Sequence, residues 1–536
     1  MPLIADQFNA ATFFIDRHIA EGRQHKAAIE CFAPSGPPEP VVTYGQLAQN
    51  VNRAGNALRA LGVRREERVA MLLLDSPEFL YVFFGAIKIG AVPVPLNTLL
   101  KAHDYEYLLN DCRARVVVAS EALLPSLPPS GSLRYVEHIV VAGDAQPASW
   151  RQSRSLRQLL GEHSPFLEPE LTSRDDAAFW LYSSGSTGRP KACIHLQHDM
   201  VVAAEHYAVR VLGIRADDRC FSVAKLFFAY GLGNAGYFPL AVGATSILWS
   251  GSTHPANVFA CIERHRPTLF YSVPSNFAAL LLHAEEQEQA AGRRFDLSTI
   301  RWAVSAGEAL PAAIYHRFRE RFGVEILDAI GSTEALHMFI ANRPGAVRPG
   351  SSGQIIPGYE ARIVDDAGCE VAPGEIGNLL IKSDSVCAGY WDQPERTNAT
   401  FQGEWLRTGD KYRQDEDGYY WYAGRSDDML KVSGVWVSPV EIEAVLIEHP
   451  AVAEAAVIGK DDGEGLLKPA ACIVLRSGCA ATDALKSEIL DLVTSRLAHY
   501  KRPRWIEYVN ELPKTATGKI QRFKLRELYG AHTGSQ

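Results

Sequence analysis

The chain has 536 residues, of which 47% are hydrophobic and 22% charged, so we expect two or more globular domains. Its net charge of -8 argues against a nucleic-acid partner, because affinity for a phosphate backbone depends on clustered Lys and Arg. The nine cysteines include no C-x-x-C pair, which is typical of reduced thiols rather than of a disulfide framework or a zinc site.

The first half of the chain alternates strand-like and helical patterns. Residues 68–74 (RVAMLLL), 115–119 (RVVVA) and 139–142 (IVVA) predict buried strands, and residues 44–61 predict a helix. Charges interrupt every apolar run in residues 1–22, so we expect a cytoplasmic protein with neither a signal peptide nor a membrane partner. The alternation of β and α predicts an α/β fold with parallel sheets.

A candidate phosphate loop, residues 182–191 (YSSGSTGRPK), follows the apolar run 177–181. Its glycines let the backbone approach an anion, and its hydroxyls and lysine can meet phosphate oxygens. It is not a Walker A loop, because Pro190 and Ala192 stand where that motif needs Gly and Ser or Thr. A flexible Ser/Gly linker is the alternative on composition. The residues of the candidate loop are Ser183, Ser184, Gly185, Ser186, Thr187, Gly188 and Lys191.

Two later strand-like segments also end in small and polar residues, namely 304–311 (VSAGEALP) and 327–335 (LDAIGSTEA). Ligands of open α/β sheets lie outside the carboxyl ends of strands, so we expect both turns to face the phosphate loop. Glu334 would then supply a carboxylate for Mg²⁺ that bridges nucleotide phosphates. Taken alone, such a glutamate is more often a helix-start residue.

Three further turns carry charged side chains. In WLRTGD, residues 405–410, Asp410 follows a tight turn and is suited to accept ribose hydroxyls. Arg425 follows another glycine and is suited to phosphate or ribose oxygens, and Lys519 follows a Thr-Gly turn in LPKTATGKIQ, residues 512–521. Each residue in isolation reads as a solvated surface group.

The organisation changes near Asp427, after the turn-rich residues 403–425. Beyond it the patterns predict a helix over 439–448, strands over 452–459 and 470–475, and a helix over 484–497. These elements predict a compact α+β domain of about one hundred residues.

Together with CAGYWDQPERT at 387–397 and YAGRSDDMLKVSG at 422–434, these segments strongly resemble the acyl-adenylate-forming (ANL) superfamily, and within it the aryl-CoA ligases. The resemblance implies a large N-terminal domain with several subdomains, residues 1–426, and a small mobile C-terminal domain, residues 427–536. It also implies two half-reactions. A carboxylate attacks the α-phosphate of Mg-ATP to give acyl-AMP and pyrophosphate, and a thiol then displaces AMP.

By position, the resemblance assigns roles to individual residues. Lys519 bridges carboxylate and α-phosphate, where its charge would offset charge that develops in the transition state. Asp427 is the hinge, and Ser433 and Gly434 line the pantetheine tunnel. Beside the phosphate loop, the implied catalytic and nucleotide residues are Thr333, Glu334, Gly307, Glu308, Ala309, Asp328, Ala329, Ile330, Asp410, Tyr422 and Arg425. Ile330 is a departure, since the family commonly carries Tyr there.

The acid and the thiol are suggested by two further patterns. LFFAYGLGN with IGSTEALHMF looks most like benzoate-CoA ligases, followed by hydroxybenzoate and aminobenzoate ligases, and aromatic side chains over small residues suit a flat ring. The implied substrate residues are Phe228, Ala229, Tyr230, Ala306, Gly331, Leu336 and His337. YKRPR at 500–504 places basic groups where related CoA ligases meet the nucleotide phosphates of coenzyme A, so the resemblance implies coenzyme A as the acceptor, with Arg502 and Arg504 on those phosphates; a solvated basic turn is the alternative.

The sequence therefore predicts an ATP-dependent benzoate-CoA ligase, monomeric or homodimeric, that uses Mg²⁺ and coenzyme A. The alternatives are a ligase for hydroxybenzoate, aminobenzoate or a medium-chain fatty acid, a non-catalytic adenylate-binding or regulatory protein, and a luciferase-type oxygenase. Retention of Lys519 and Glu334 speaks against a non-catalytic protein.

Overall fold

The structure is a computed structural model, and it describes residues 4–34, 41–144, 153–183, 189–426, 428–432, 435–462, 467–514 and 520–530. Several residues that the sequence points to lie outside these ranges: Ser184, Gly185, Ser186, Thr187, Gly188, Asp427, Ser433, Gly434 and Lys519.

The α-helices of the described residues are α1 Arg17–Ala20, α2 Tyr44–Ala60, α3 Pro77–Lys88, α4 Ala102–Asp111, α5 Leu156–Glu162, α6 Asp199–Ala203, α7 Ala229–Gly231, α8 Phe238–Val242, α9 Pro255–His265, α10 Pro274–Ala291, α11 Ala312–Phe322, α12 Pro394–Thr400, α13 Pro439–Glu448, α14 Asp483–Arg496 and α15 Arg522–Leu525. Short π-helical segments are Thr12–Asp16, Ala204–Val209, Leu232–Tyr237 and Arg526–Gly530, and 3₁₀ segments are Glu121–Ser126, Ser130–Ser132 and His499–Lys501.

The strands are β1 Ala27–Cys31, β2 Val42–Thr43, β3 Arg68–Leu72, β4 Val92–Pro95, β5 Val116–Ser120, β6 His138–Ala142, β7 Ser153–Ser155, β8 Ala177–Ser183, β9 Lys191–Leu196, β10 Arg219–Ser222, β11 Thr245–Leu248, β12 Leu269–Ser272, β13 Trp302–Ser305, β14 Ile326–Gly331, β15 Met338–Ala341, β16 Gln354–Ile355, β17 Glu360–Val364, β18 Gly377–Lys382, β19 Phe401–Gln402, β20 Trp405–Gln414, β21 Tyr420–Arg425, β22 Leu430–Val432, β23 Val435–Val437, β24 Val452–Asp461, β25 Leu467–Leu475 and β26 Trp505–Tyr508.

Two large sheets dominate the first two thirds of the chain. One has the order β4-β3-β5-β6-β7 and is parallel throughout. The other has the order β16-β15-β14-β13-β12-β10-β11-β1-β2, and it is parallel from β14 to β1 with antiparallel edge strands. Helix α3 is buried from Phe79 to Lys88 in the core that the two sheets share. The α/β fold with parallel-rich sheets is therefore confirmed.

Local signals explain where these elements begin. Thr43 caps α2 through a reciprocal capping box with Gln46, and α3 carries Pro77 at its first position, where the missing N–H is not needed. Strand β5 is buried at every residue, as expected for a parallel strand covered on both faces. The predicted helix 44–61 and strands 68–74, 115–119 and 139–142 match α2, β3, β5 and β6 to within two residues at each end.

A third sheet was not predicted. Strands β17, β18, β20, β19 and β21 form an antiparallel sheet over residues 360–425, which includes the segment 403–425 where the sequence indicated mainly turns. The expectation that Asp410 follows a tight turn is wrong in this respect. Asp410 lies inside β20 opposite Arg425, next to Gly409 with a φ of 76°. The register of β20 with β18 shifts across this point, between the pairs Arg407–Leu380 and Lys411–Asn378. The bulge, rather than a loop, orients its side chain.

The C-terminal elements agree with the predicted α+β pattern. Strands β24, β25 and β26 form one sheet, packed with α13 and α14 around a separate hydrophobic cluster that includes Val437, Leu446 and Ile489. Among the helices of the described residues, none has both the length and the apolar character needed to cross a bilayer.

Candidate active site

The hairpin β8–β9 presents basic and polar groups to the turn that follows β14. Ser183 ends β8 and pairs with Lys191, which begins β9. Alternate residues of a strand share one face, so Lys191, Cys193 and His195 project to the same side. That face meets the segment 333–334, as the following contacts show.

Glu334 is the centre of the site. Its Oε1 accepts a hydrogen bond from Tyr390 Oη at 2.8 Å and from Ser183 Oγ at 3.3 Å, and Lys191 Nζ lies 3.0 Å away. Burial alone would raise the pKa of Glu334, but the charge of Lys191 and the hydrogen bonds from Lys191 and Tyr390 outweigh it and hold that pKa below its ordinary value. The carboxylate is therefore ionised at neutral pH. Ser183 and Lys191, which flank the candidate phosphate loop, contact the GSTE turn, whereas loop residues 184–188 lie outside the described ranges.

Thr333 is held through its backbone. His195 Nε2 donates to the Thr333 carbonyl at 2.9 Å, while His195 Nδ1 lies 2.8 Å from Asp199 Oδ2. The side chains of His195 and Asp199 have no exposed surface, and the ring stacks on Phe179 at 5.0 Å between centroids. Thr333 and Glu334 are thus fixed by His195 and Lys191, two residues on the same face of β9.

Tyr390 is a site residue that sequence reasoning missed. Lys191 Nζ donates to its hydroxyl at 2.5 Å and lies 4.0 Å from its ring centroid. Its backbone N–H donates to Thr397 Oγ1, a residue of α12, at 3.1 Å. The only sequence signal was its place in CAGYWDQPERT, which carried the family resemblance but no chemistry for the tyrosine. His195 was missed for a similar reason, since a lone histidine on a strand points to no partner.

The candidate adenine residues lie at the ends of β13 and β14, which pair in parallel with Ser305 opposite Asp328. Asp328 Oδ2 accepts from Leu310 N at 3.3 Å, and burial raises the pKa of Asp328 to about 8, against the hydrogen bonds that it accepts. Its carboxyl is therefore largely protonated at neutral pH. Ala329 is buried and Ile330 partly buried in β14, while Gly307, with a φ of 93°, Glu308 and Ala309 line the adjoining turn.

Two contacts join this region to the later parts of the chain. Ile520 N, directly after the residue assigned to adenylation, donates to Glu308 Oε1 at 3.2 Å. Arg425 Nη1 donates to Asp410 Oδ1 at 3.0 Å, so the predicted ribose pair is in contact. Tyr422 lies in the same strand as Arg425, and burial raises the pKa of its phenol, which keeps it protonated.

The candidate acyl residues form an aromatic wall. Tyr230 Oη donates to the carbonyls of Ser272 and Val304, both at 3.1 Å, and His337 Nε2 donates to the Tyr230 carbonyl at 3.3 Å. Burial lowers the pKa of His337 to about 3 despite that bond, so its ring is neutral. The ring packs edge-on against Phe238 at 4.4 Å between centroids.

Tight backbone geometry surrounds this wall. Leu336 is fully buried with a φ of 67°, an uncommon conformation for a residue other than glycine. A Cβ on Gly331 would lie 2.2 Å from the His337 carbonyl oxygen, so only glycine fits there. Ala306 is buried at the end of β13, and Phe228 and Ala229 are partly buried just before and within α7.

The two arginines assigned to coenzyme A lie in the C-terminal part. Arg502 and Arg504 are exposed, and Arg504 Nη1 donates to Asp462 Oδ2 at 3.3 Å. Their described contacts do not reach the Glu334 region, so the structure does not bring them together with the other candidate residues.

The fold and this site define an adenylate-forming enzyme. The chain belongs to the AMP-binding enzyme family: residues 17–391 match that family, and residues 441–519 match the AMP-binding enzyme C-terminal domain. It is 49% identical over 526 residues to a benzoate–CoA ligase of Thauera aromatica, with 98% of this chain and 96% of that protein covered.

Two solved structures are similar over nearly the whole chain. An anthranilate CoA ligase in complex with anthranoyl-AMP superposes with a TM-score of 0.92 at 47% identity, covering 98% of both chains. A benzoate CoA ligase from Burkholderia xenovorans LB400 superposes with a TM-score of 0.87 at 44% identity, covering 97% of this chain and 100% of that one. The resemblance inferred from the sequence motifs is thereby confirmed.

Proposed function

We propose that this protein joins benzoate to coenzyme A, forming benzoyl-AMP and pyrophosphate from ATP and then benzoyl-CoA and AMP. The observation that supports an aromatic acid as the substrate is the wall made by Tyr230 and His337. This surface is neutral, and the contact between His337 Nε2 and the Tyr230 carbonyl fixes it. A flat apolar ring is the complement of such a surface. The likeness to benzoate–CoA ligases supports the same acid.

The donor set around Glu334 fits Mg²⁺. An ionised carboxylate beside a phosphate loop is the ligand arrangement in which Mg²⁺ keeps most of its waters and takes the rest of its ligands from substrate phosphates. When bound there, the ion would neutralise charge on the phosphates of ATP. Within the described residues no group of three or more His, Cys, Asp or Glu side chains forms a protein-only metal cage.

In this proposal the residues of the chain divide the work of the first half-reaction. Glu334, held by Lys191 and Tyr390, is oriented before ATP arrives, so its position costs no reorganisation during the reaction. Asp410 accepts the ribose hydroxyls, Arg425 steadies its carboxylate, and Asp328 lies at the adenine site.

The second half-reaction needs a change of domain position. We propose that residues 1–426 and 427–536 are the two domains, that Asp427 is the hinge, and that Lys519 serves adenylation before rotation brings Ser433 and Gly434 to the thiol path. The contact of Ile520 with Glu308 supports an arrangement in which the segment around Lys519 faces the nucleotide site. Arg502 and Arg504 remain the candidates for the phosphates of coenzyme A.

A substituted benzoate is the second candidate. Within the described residues, Nδ1 of His337 has no hydrogen-bond partner, although the side chain is buried. Because Nε2 carries the proton, Nδ1 is an acceptor. An amino or hydroxyl group on the benzoate ring would donate a hydrogen bond to it. The likeness to an anthranilate CoA ligase favours 2-aminobenzoate among such acids.

The test is AMP release with coenzyme A, Mg²⁺ and a panel of benzoate, 4-hydroxybenzoate, 2-aminobenzoate, hexanoate and acetate. We expect the highest kcat/KM with benzoate. A clear preference for hexanoate would refute the aromatic acid but not the ligase, and absence of AMP release with every acid would refute both. Cell fractionation and sedimentation would test the further expectation of a cytoplasmic monomer or homodimer.

A further inference from the structure

The segment 225–230, here called the acyl segment, leads from β10 into α7 and carries Phe228, Ala229 and Tyr230. Its first residue is anchored to the nine-stranded sheet. Lys225 Nζ donates to the carbonyl of Trp249 at 2.6 Å and to that of Gly251 at 2.9 Å, just beyond the end of β11. The ammonium also lies 5.2 Å from the centroid of the Trp249 ring. The Lys225 ammonium therefore binds two backbone carbonyls and lies near the ring of Trp249.

The second residue of the acyl segment is anchored to the other sheet. Leu226 N donates to Asp75 Oδ1 at 3.0 Å, and Asp75 follows β3 of the five-stranded parallel sheet. Asp75 is 7% exposed, and burial raises its pKa to about 6, against the charge of Lys225 and the Leu226 N–H. Burial lowers the pKa of Lys225, and the charge of Asp75 opposes that shift. The two groups thus stabilise each other's charged form.

The far end of the acyl segment is equally constrained. Tyr230 Oη donates to carbonyls at the ends of β12 and β13. The next residue, Gly231, turns back so closely that a Cβ there would lie 2.1 Å from the Lys225 carbonyl oxygen. Phe228 and Ala229 therefore lie between two residues whose positions are fixed, Leu226 and Tyr230.

Burying a charged group costs desolvation free energy, and apolar side chains of similar volume are often as stabilising or more so. Two charged groups that bind adjacent residues of one segment to two different sheets have a further effect, because they fix the position of the chain between those sheets. We propose that Asp75 and Lys225 are positioning residues of the acyl pocket, which hold residues 225–230 so that Phe228 and Tyr230 stand at the correct distance from the aromatic acid. This inference rests on the proposed function.

The test is steady-state kinetics of Lys225→Met, Asp75→Asn and the double variant, with benzoate and ATP varied separately. Lys225→Met is expected to raise KM for benzoate by about tenfold or more, the size expected when a pocket wall is displaced, and to leave KM for ATP within about twofold. Asp75→Asn keeps an oxygen for Leu226 N and should have a smaller effect. The double variant should be less impaired than Lys225→Met, because it no longer leaves the buried Asp75 carboxylate without the favourable charge of Lys225.

Lys88→Met is the matched control. Lys88 is a buried lysine, whereas Lys225 is partly buried; it is paired with Asp16 at 2.7 Å and bonded to Asn52 at 2.6 Å, with no described contact to the acyl segment. It should lower the melting temperature without changing the ratio of the two KM values. If Lys225→Met and Lys88→Met change both KM values alike, or if KM for ATP rises in parallel, the positioning role is refuted.

Two outcomes keep the inference separate from the proposed function. If the wild type does not use benzoate but uses another acid of the panel, the proposed acid fails and the same comparison is made with the acid that is used. If Lys225→Met does not fold, Asp75→Ala decides, because it removes the oxygen that accepts from Leu226 N: an unchanged KM for the acid in that variant overturns the inference.

Discussion

Replacing Tyr390 by Phe would remove a single hydroxyl from the centre of the site. Tyr390 Oη donates to Glu334 Oε1 at 2.8 Å, and without it that oxygen keeps, among the described residues, Ser183 at 3.3 Å and Lys191 at 3.0 Å. The phenylalanine ring would still lie beneath Lys191, whose Nζ is 4.0 Å from the ring centroid, so the local packing should persist. A hydrogen bond to a charged group contributes about 1.5 to 3 kcal/mol. If Glu334 must be held to receive Mg-ATP, kcat/KM for ATP should fall by roughly 10- to 150-fold.

The assay is acid-dependent exchange of pyrophosphate into ATP, with Mg-ATP varied at saturating benzoate and then benzoate varied at saturating Mg-ATP. The expected loss is confined to kcat/KM for ATP. Calorimetric titration with ATP, with and without Mg²⁺, gives a second readout, in which the loss of affinity should be greater with the ion. Tyr44→Phe is the control, because its buried hydroxyl donates to the Ala244 carbonyl at 2.6 Å outside the site. Tyr390→Phe kinetics equal to those of Tyr44→Phe would show that the hydroxyl does not orient Glu334.

Three further predictions concern other parts of the site. Asp328 is buried with a pKa raised from 3.8 to about 8, so between those values the folded state keeps a proton that the unfolded state loses. Stability should therefore fall as pH rises through that window, by on the order of 5 kcal/mol, and thermal melts should show the slope in the wild type but not in Asp328→Asn. Ala306, 3% exposed, has little room to grow, so Ala306→Leu should lower kcat/KM for benzoate about tenfold or more while KM for ATP stays within about twofold. Lys519 lies outside the described ranges. Lys519→Ala should slow adenylation by roughly two orders of magnitude or more and leave thioester formation from preformed benzoyl-AMP intact. Equal loss of both half-reactions would reject the adenylation role of Lys519.

The class of protein was evident from the sequence alone because its chemistry is concentrated in short segments. A phosphate loop, a GSTE turn and a terminal lysine segment are each read within about ten residues, since each depends on glycine, hydroxyl and charged groups that act next to one another in the chain. Helix α2 and the parallel strands were also predictable, because periodicity and capping are local properties. The proposed acid came from local patterns around Tyr230 and His337.

What holds these segments in place was decided only by the tertiary structure. Tyr390 meets Glu334 across 56 residues of sequence, and His195 meets Thr333 across 138. The antiparallel strands that place Asp410 opposite Arg425 lie in residues 403–425, whose glycines predict turns. The local pattern of a strand does not indicate which distant turn the strand will face, because that depends on how whole sheets pack. Short sequence segments thus indicate the chemistry of the candidate site, whereas its geometry depends on long-range pairing between buried strands.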